Sequence, residues 1–278
     1  MRIGMIGTEN THVDQILEYL NVRELAPGTR VVALAGGATE RNEQLRAHGG
    51  VERIVDAPTE LLGQVDAVII TDRHGGLHRE HAVPFLAEGL PVFVDKPLAC
   101  SVADAEAIVA VAREHDALLT SYSALRWIPD TEALVAELPT VGTPQVVVTT
   151  GPADEASPYG GIWFYGIHSV DVALRLVPGE IGEVRVERSA ETVIARVRVG
   201  DTLVVVNLVR PEEIARVPFH AMVVGRTGIA ARPLVLDDWY VAPGLEAFLR
   251  MVGTGHPPIG YDDLLRPIRV LDAVAAAL

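Results

Sequence analysis

With a single cysteine, Cys100, among 278 residues, the sequence has no internal disulfide framework and no multi-cysteine metal site, and it fits a reducing cytoplasm. No apolar run approaches the roughly 18 residues needed to span a bilayer. No basic-then-apolar leader precedes the first strand, so a cytoplasmic protein with no membrane partner is expected. Positive charge is scarce: 23 Lys and Arg stand against 37 Asp and Glu, a net charge of −14. That balance repels a polyphosphate overall and argues against nucleic acid as a partner, while a local basic pocket could still hold a phosphate. Repeats and low-complexity segments are absent as well. What is present, 49% hydrophobic and 22% charged residues, is ordinary for a globular chain of one or two domains.

The first 120 or so residues alternate between two hydrophobic periods. Strands are expected at Arg2 to Gly7, Arg30 to Ala35, Arg53 to Val55, Val65 to Thr71, Leu90 to Val94 and Ala117 to Ser121. Between them lie helices: one with Val13, Ile16, Leu17 and Leu20 on one face, then Glu40 to His48, a brief turn at Leu61-Leu62, His78 to Glu88, and Ser101 to His115 with Ser101 as its cap. Such alternation implies right-handed crossovers and a doubly wound parallel (Rossmann) sheet, α/β in class. Beyond residue 122 the pattern changes. After a helix near Thr131 to Glu137, strands are expected at Thr143 to Thr150, Val184 to Arg188, Thr192 to Val199, Thr202 to Val209 and Phe219 to Val224, with one helix from about Ile167 to Leu176. Helical pieces at Leu245 to Val252 and Asp262 to Leu278 follow. Residues 1–122 are thus expected to form a dinucleotide-binding domain. Residues 123–278 are expected to form an α+β domain with a mostly antiparallel open sheet, whose last helix could pack back on the first.

Three segments carry chemistry. Gly7-Thr8-Glu9-Asn10-Thr11-His12 follows the first strand, where a dinucleotide-binding turn uses three glycines. Only the first is present; Glu9 and His12 hold the other places, and Ala35-Gly36-Gly37 replaces the acid that grips the adenosine ribose. The helix N-terminus remains, with Asn10 or Thr11 able to cap it and free N–H groups able to meet an anion. Asp95-Lys96-Pro97 ends a buried strand, where such a sheet opens onto its ligand crevice. Proline biases Lys96 towards extended backbone, and an ammonium there can stabilise an oxyanion as hydride moves. Third, Gly160 to Asp171 (GGIWFYGIHSVD) leads through aromatics to His168, with Asp171 one turn on. A histidine suits proton exchange with an alcohol; packing against Trp163 or Tyr165 is the bland alternative.

These segments together resemble the Gfo/Idh/MocA oxidoreductases along nearly the whole chain. Val92 to Ala99 (VFVDKPLA) is similar to the family's E-K-P segment, with Asp95 in place of glutamate. Val65 to Ile70 with Leu77 to Ala82, Tyr122 with Arg126-Trp127-Ile128-Pro129, and Gly160-Gly161 through His168 and Asp171 match further family segments. The resemblance implies NAD or NADP as cofactor, a sugar- or polyol-like alcohol as substrate, and homodimers or homotetramers formed through the open face of the C-terminal sheet. It makes Lys96 and His168 the candidate catalytic residues. Asp171, Tyr122 and Trp163 become candidates for substrate binding, and Gly7, Thr8, Asn10, Thr11, Thr71, His78, Asp95 and Lys96 for cofactor binding. Two positions depart from the family. Phe164 stands four residues before His168, where many members have aspartate, and Thr71-Asp72-Arg73-His74-Gly75-Gly76 replaces the usual Thr-Pro-Asn. The chain is also short for the group.

His74, His78 and His81 invite a metal reading, but no carboxylate or cysteine at ligand spacing completes a site, so none is expected. His78 is instead read as lining the cofactor crevice and His81 as packing. The leading expectation is an NAD(P)-dependent dehydrogenase or reductase. The degraded glycine turn leaves a rival, a scaffold homologue without dinucleotide binding that serves as a ligand-binding or regulatory protein. A third option is the same Lys/His pair working without net redox change.

Overall fold

The computed structural model describes residues 1–212 and 217–278, and the chain divides into two compact units. One comprises Met1–Ala99, Ala103–Tyr122 and Val241–Leu264; the other comprises Cys100–Val102, Ser123–Tyr240 and Leu265–Leu278.

The first unit is built on β1 (Arg2–Ile6), β2 (Arg30–Ala35), β3 (Arg53–Val55), β4 (Ala67–Ile70), β5 (Val92–Asp95) and β6 (Leu119–Tyr122). All six are parallel, in the order β3-β2-β1-β4-β5-β6. Every residue of β4, β5 and β6 is buried, as their continuous apolar runs require of strands covered on both faces. The helices are α1 (His12–Leu17), α2 (Thr39–Gly49), α3 (His78–Ala87) and α4 (Val102–Glu114). A further helix, Ala242–Thr254, belongs to this unit. Its Phe248 packs on Phe93 of β5, ring centres 5.8 Å apart, and Phe93 in turn stacks on Tyr122 at 4.8 Å. Strand order reverses between β1 and β4, which leaves a crevice beyond their C-terminal ends. Gly7, Thr71 and Asp95-Lys96 follow or end β1, β4 and β5, so the topology sets them along one edge.

One local difference from the sequence reading lies in the first helix. It runs as α1 to Leu17 and then widens into π turns over Glu18–Val22. Asn21 in that stretch is buried, and its amide accepts from Val31 N at 2.9 Å and donates to the Val31 and Gly49 carbonyls at 2.8 Å each. These bonds fasten the widened turn to β2, and apolar periodicity carries no trace of them.

The second unit holds β7 (Pro144–Pro152), β8 (Ile181–Ser189), β9 (Thr192–Val199), β10 (Thr202–Val209), β11 (Phe219–Gly225) and β12 (Ile229–Leu234), in the order β12-β11-β7-β10-β9-β8. Pairing is antiparallel except between β7 and β10, which run parallel. Helices α5 (Pro129–Val141) and α6 (Trp163–Leu176) lie against one face. Strand β12 is missing from the sequence reading for a physical reason. It is an edge strand containing Arg232 and Pro233, with half its residues exposed or nearly so, and edges tolerate a proline that a central strand does not. Helix α6 also starts a turn earlier than expected. Gly160 and Gly161 adopt φ of +97° and +61°, and a Cβ on Gly161 would lie 2.7 Å from the Glu155 carbonyl oxygen. The tight turn that only glycine permits releases the chain straight into the helix, so His168 lies in the second turn of α6 rather than at its entrance.

Candidate active site

In the first unit, the turn after β1 survives with one glycine because that one is indispensable. Gly7 has φ +77°, and a Cβ there would meet Asp72 N at 2.4 Å. Its N–H donates to Ala35 O at 3.0 Å, and its carbonyl accepts from Thr71 Oγ1. Thr8 is fully buried and donates to Asn42 Oδ1 at 2.5 Å. Gly37, with φ +77°, leaves room for the Thr8 hydroxyl, which a Cβ would meet at 2.0 Å. Thr11, at the helix entrance, makes no capping bond with its side chain; Asn10 does this instead, its Oδ1 accepting from His12 N at 3.1 Å. Arg41 is held by Asp14 and by the Thr8 carbonyl.

The residues that stand in for the missing glycines have different fates. Glu9 is exposed. His12 is buried, and its Nδ1 lies 2.8 Å from Asp95 Oδ2, which also accepts from Asn10 Nδ2 at 2.8 Å. An ionised carboxylate can only accept, so His12 Nδ1 carries the hydrogen. The Asp95 of the lysine-bearing segment therefore ties down the turn after β1. Burial alone would raise its carboxyl pKa, but the charge and hydrogen bond of His12, with Lys96 beside it, outweigh this and hold it well below the usual carboxylate range. Lys96 is itself buried, at 4% exposure. Burial pushes its amine pKa down, the Asp95 charge opposes this, and Arg73 adds to the lowering. The Lys96–Pro97 peptide is cis.

His78 is fully buried between two backbone carbonyls, with Nδ1 2.7 Å from Pro97 O and Nε2 3.0 Å from Asp72 O. It thereby links the segments that follow β4 and β5. Burial lowers its pKa against the pull of Asp72. His81 does more than pack: Asp72 Oδ2 lies 2.7 Å from its Nδ1 and raises its pKa, with burial opposing. Asp72 is thus a carboxylate partner that sequence spacing does not supply, because β4 and α3 bring it to His81 across the intervening turn.

The second unit assembles a separate cluster around α6. His168 is buried, with Nδ1 2.7 Å from Ser123 Oγ. Asp171, one turn on, accepts from Ser123 N at 3.0 Å through Oδ2 and from Arg126 Nη1 at 2.7 Å through Oδ1. The His168 ring lies 6.0 Å from Tyr165 and 5.5 Å from Phe219. Phe164 is buried between Tyr159 and Tyr165, at 4.9 and 4.8 Å. Trp163 is buried in the first turn of α6.

Of the remaining candidate, Tyr122, the hydroxyl donates to the Gly244 carbonyl and the ring stacks on Phe93, both within the first unit. Ser123 and the anchoring role of Arg126 escape a reading of the sequence. Serine just after a strand, at the cap of the short helical turn Ala124–Trp127, is a common sight, and only the fold sets it against His168.

Comparison with known proteins bears on this geometry. Residues 1–123 match the family model described as oxidoreductase family, NAD-binding Rossmann fold (GFO_IDH_MocA). A 1,5-anhydro-D-fructose reductase of Ensifer adhaerens is 30% identical over 127 residues, covering 45% of this chain and 37% of that protein. An inositol 2-dehydrogenase of Saccharopolyspora erythraea is 29% identical over 215 residues, 72% of this chain and 61% of that one. The chain thus spans less than two thirds of either relative's length. Among solved structures, scyllo-inositol dehydrogenase of Lactobacillus casei, with bound NAD(H) and scyllo-inositol, superposes with a TM-score of 0.83 at 16% identity. It covers 98% of this chain and 95% of its own, a likeness of fold. Residues 1–123 are thus similar to the NAD-binding Rossmann domain of the Gfo/Idh/MocA oxidoreductases.

Proposed function

We propose that the protein is an NAD(P)-dependent oxidoreductase that interconverts a sugar- or polyol-like alcohol and its carbonyl form. The observation that carries this reading is a buried lysine at the C-terminal end of a central parallel strand, next to a strand-turn-helix whose glycine admits no side chain.

The residues present fit a dinucleotide. Gly7 and Gly37 leave the space beside them to Asp72 and the Thr8 hydroxyl and so make the turn tight, and a dinucleotide would meet the backbone of such a turn. Of the carboxylates near this turn, Asp72 is paired with His81, Asp95 with His12, and Glu9 is exposed. Gly7, Asn10 and Thr11 would meet the cofactor, while Thr8, Thr71 and His78, fully buried, would shape the turn from behind and Asp95 brace the loop. When bound, the cofactor would supply hydride transfer to or from the carbon that bears the oxygen. Lys96 would stabilise a developing oxyanion with its ammonium, and His168 is the group suited to proton exchange with an alcohol or carbonyl oxygen.

The relatives named above, one a reductase and one an inositol dehydrogenase, support a polyol-like substrate. A cytoplasmic homodimer or homotetramer is part of the same reading. The face of the second sheet away from α6 carries cross-strand rows of Val224, Val146 and Leu203, then Met222, Val148 and Val205, half-buried in the single chain. Such a stripe suits a second copy.

Titration calorimetry with NAD+, NADH, NADP+ and NADPH tests the proposal, followed by turnover of a polyol panel read by nicotinamide absorbance. One dinucleotide is expected to bind. Lys96→Met is expected to lose about 10²- to 10⁴-fold in kcat while still binding it. Failure of all four to bind would sink the reading and favour the ligand-binding homologue.

A further inference from the structure

We infer that Ser123 is a positioning residue that fixes the tautomer of His168, so that the neutral imidazole carries its hydrogen on Nε2. This rests on the reading of His168 as the proton-exchanging group, and deepens it.

Counting hydrogens decides between the two tautomers. Ser123 is fully buried, and its hydroxyl has one hydrogen to give and lone pairs to accept with. Leu125 N–H donates to Oγ at 3.1 Å, and the other partner of that oxygen among the described residues is His168 Nδ1 at 2.7 Å. If Nδ1 carried the hydrogen, Oγ would accept twice and its own O–H would be buried without an acceptor, which native structures avoid. If the hydroxyl instead donates to Nδ1, the Ser123 hydroxyl and that ring nitrogen are both satisfied. A neutral imidazole accepting at Nδ1 has its hydrogen at Nε2. Asp171 and Arg126 make this arrangement rigid. Asp171 accepts from the Ser123 backbone N–H through one oxygen and from Arg126 through the other, so Ser123 is held against the helix that bears His168.

The consequence alters the role that family resemblance gives the histidine. In its neutral form His168 presents a hydrogen-bond donor at Nε2, suited to a carbonyl oxygen. It can accept an alcohol's proton at Nε2 only once the Ser123 hydroxyl has turned away from Nδ1. Proton delivery calls for the same turn of the hydroxyl, because only the imidazolium, with hydrogen on Nδ1 as well, can give up its Nε2 proton and remain a neutral ring.

Long-range ¹H–¹⁵N NMR of the imidazoles in the protein without added dinucleotide tests this, with the His168 signals assigned by their loss in His168→Gln. In the natural protein the neutral ring is expected to show hydrogen on Nε2 and a bare Nδ1. In Ser123→Ala the ratio of tautomers is expected to fall about tenfold, the worth of one buried hydrogen bond, and Ser123→Thr, which keeps the hydroxyl, is expected to restore it. Hydrogen on Nδ1 in the natural protein would overturn the inference, and so would an unchanged ratio in Ser123→Ala. Because these spectra need neither cofactor nor turnover, they stand apart from the calorimetry that tests the oxidoreductase reading. A kinetic arm adds the link to chemistry: Ser123→Ala is expected to lower kcat/KM for carbonyl reduction and for alcohol oxidation by the same factor, as a fixed equilibrium constant requires, and to shift the pH profile of both.

Discussion

Replacing Asp95 by asparagine removes one negative charge at nearly constant shape, from a site that is 3% exposed. In the natural protein a single oxygen of Asp95 meets Asn10 Nδ2 and His12 Nδ1, each at 2.8 Å. A hydrogen bond to a charged group contributes about 1.5–3 kcal/mol, against about 0.5–1.5 for a neutral one. Turning both bonds neutral therefore costs about 2 kcal/mol. If His12 keeps a positive charge without its partner, the cost rises to the about 3–5 kcal/mol typical of a broken buried pair. Asp95→Asn should thus destabilise the first unit by about 2–5 kcal/mol at pH 7. Urea unfolding followed by circular dichroism is the suitable assay, because all three tryptophans (Trp127, Trp163 and Trp239) lie in the other unit. The dependence on pH gives a second check. A carboxyl with its folded pKa held below the unfolded value contributes stability that is fully present above about pH 4 and is lost as pH falls through the folded value. Asp95 is such a group, so the gap between natural protein and variant should narrow only below about pH 4. Asp95 also opposes the lowering of the Lys96 pKa, so the variant should lose activity at lower pH on the alkaline side. A difference under about 0.5 kcal/mol at pH 7, or a gap that stays constant down to pH 3, would refute the bracing role.

Gly7→Ala must hold alanine at φ +77° with its Cβ 2.4 Å from Asp72 N. Left-handed strain of about 1–2 kcal/mol and overpacking of about 1–3 kcal/mol should add. Gly63→Ala, at φ +70° with nothing within 4 Å of the added carbon, should show the strain alone, and only Gly7→Ala should lose dinucleotide affinity. For His81 the pH dependence runs the other way. Its folded pKa is raised by Asp72, so the pair's stabilisation is full below about pH 6.5 and is lost as pH rises through the folded value. His81→Gln should therefore cost more stability at pH 6 than at pH 9 in paired urea titrations, and equal costs would dismiss the pair.

Local pattern was enough for the alternation of strands and helices in residues 1–122, for β2, β3, β9 and β10 to the residue, and for the mostly antiparallel second sheet. Buried parallel strands read as continuous apolar runs, and half-covered strands alternate, so these periods survive in one dimension. The lysine-bearing segment was legible too, because the charged pair Asp95-Lys96 and the proline after it break sharply from the apolar strand they close. Pattern failed at β12, where an edge strand needs no hydrophobic run, and at the start of α6, where two glycines rather than periodicity set the boundary. It also misjudged His12. As letters, histidine and glutamate in place of glycines look like damage to the turn after β1. Only folding brings His12 and Asn10, 83 and 85 residues away in sequence, onto one oxygen of Asp95. The pairing of Asp72 with His81 and of Ser123 with His168 was decided in the same way. Hydrogen bonds have range and direction but no sequence period. The sequence alone determined which backbone would form and where its lysine would emerge; which buried polar groups hold that lysine and His168 in working form was left to the tertiary structure.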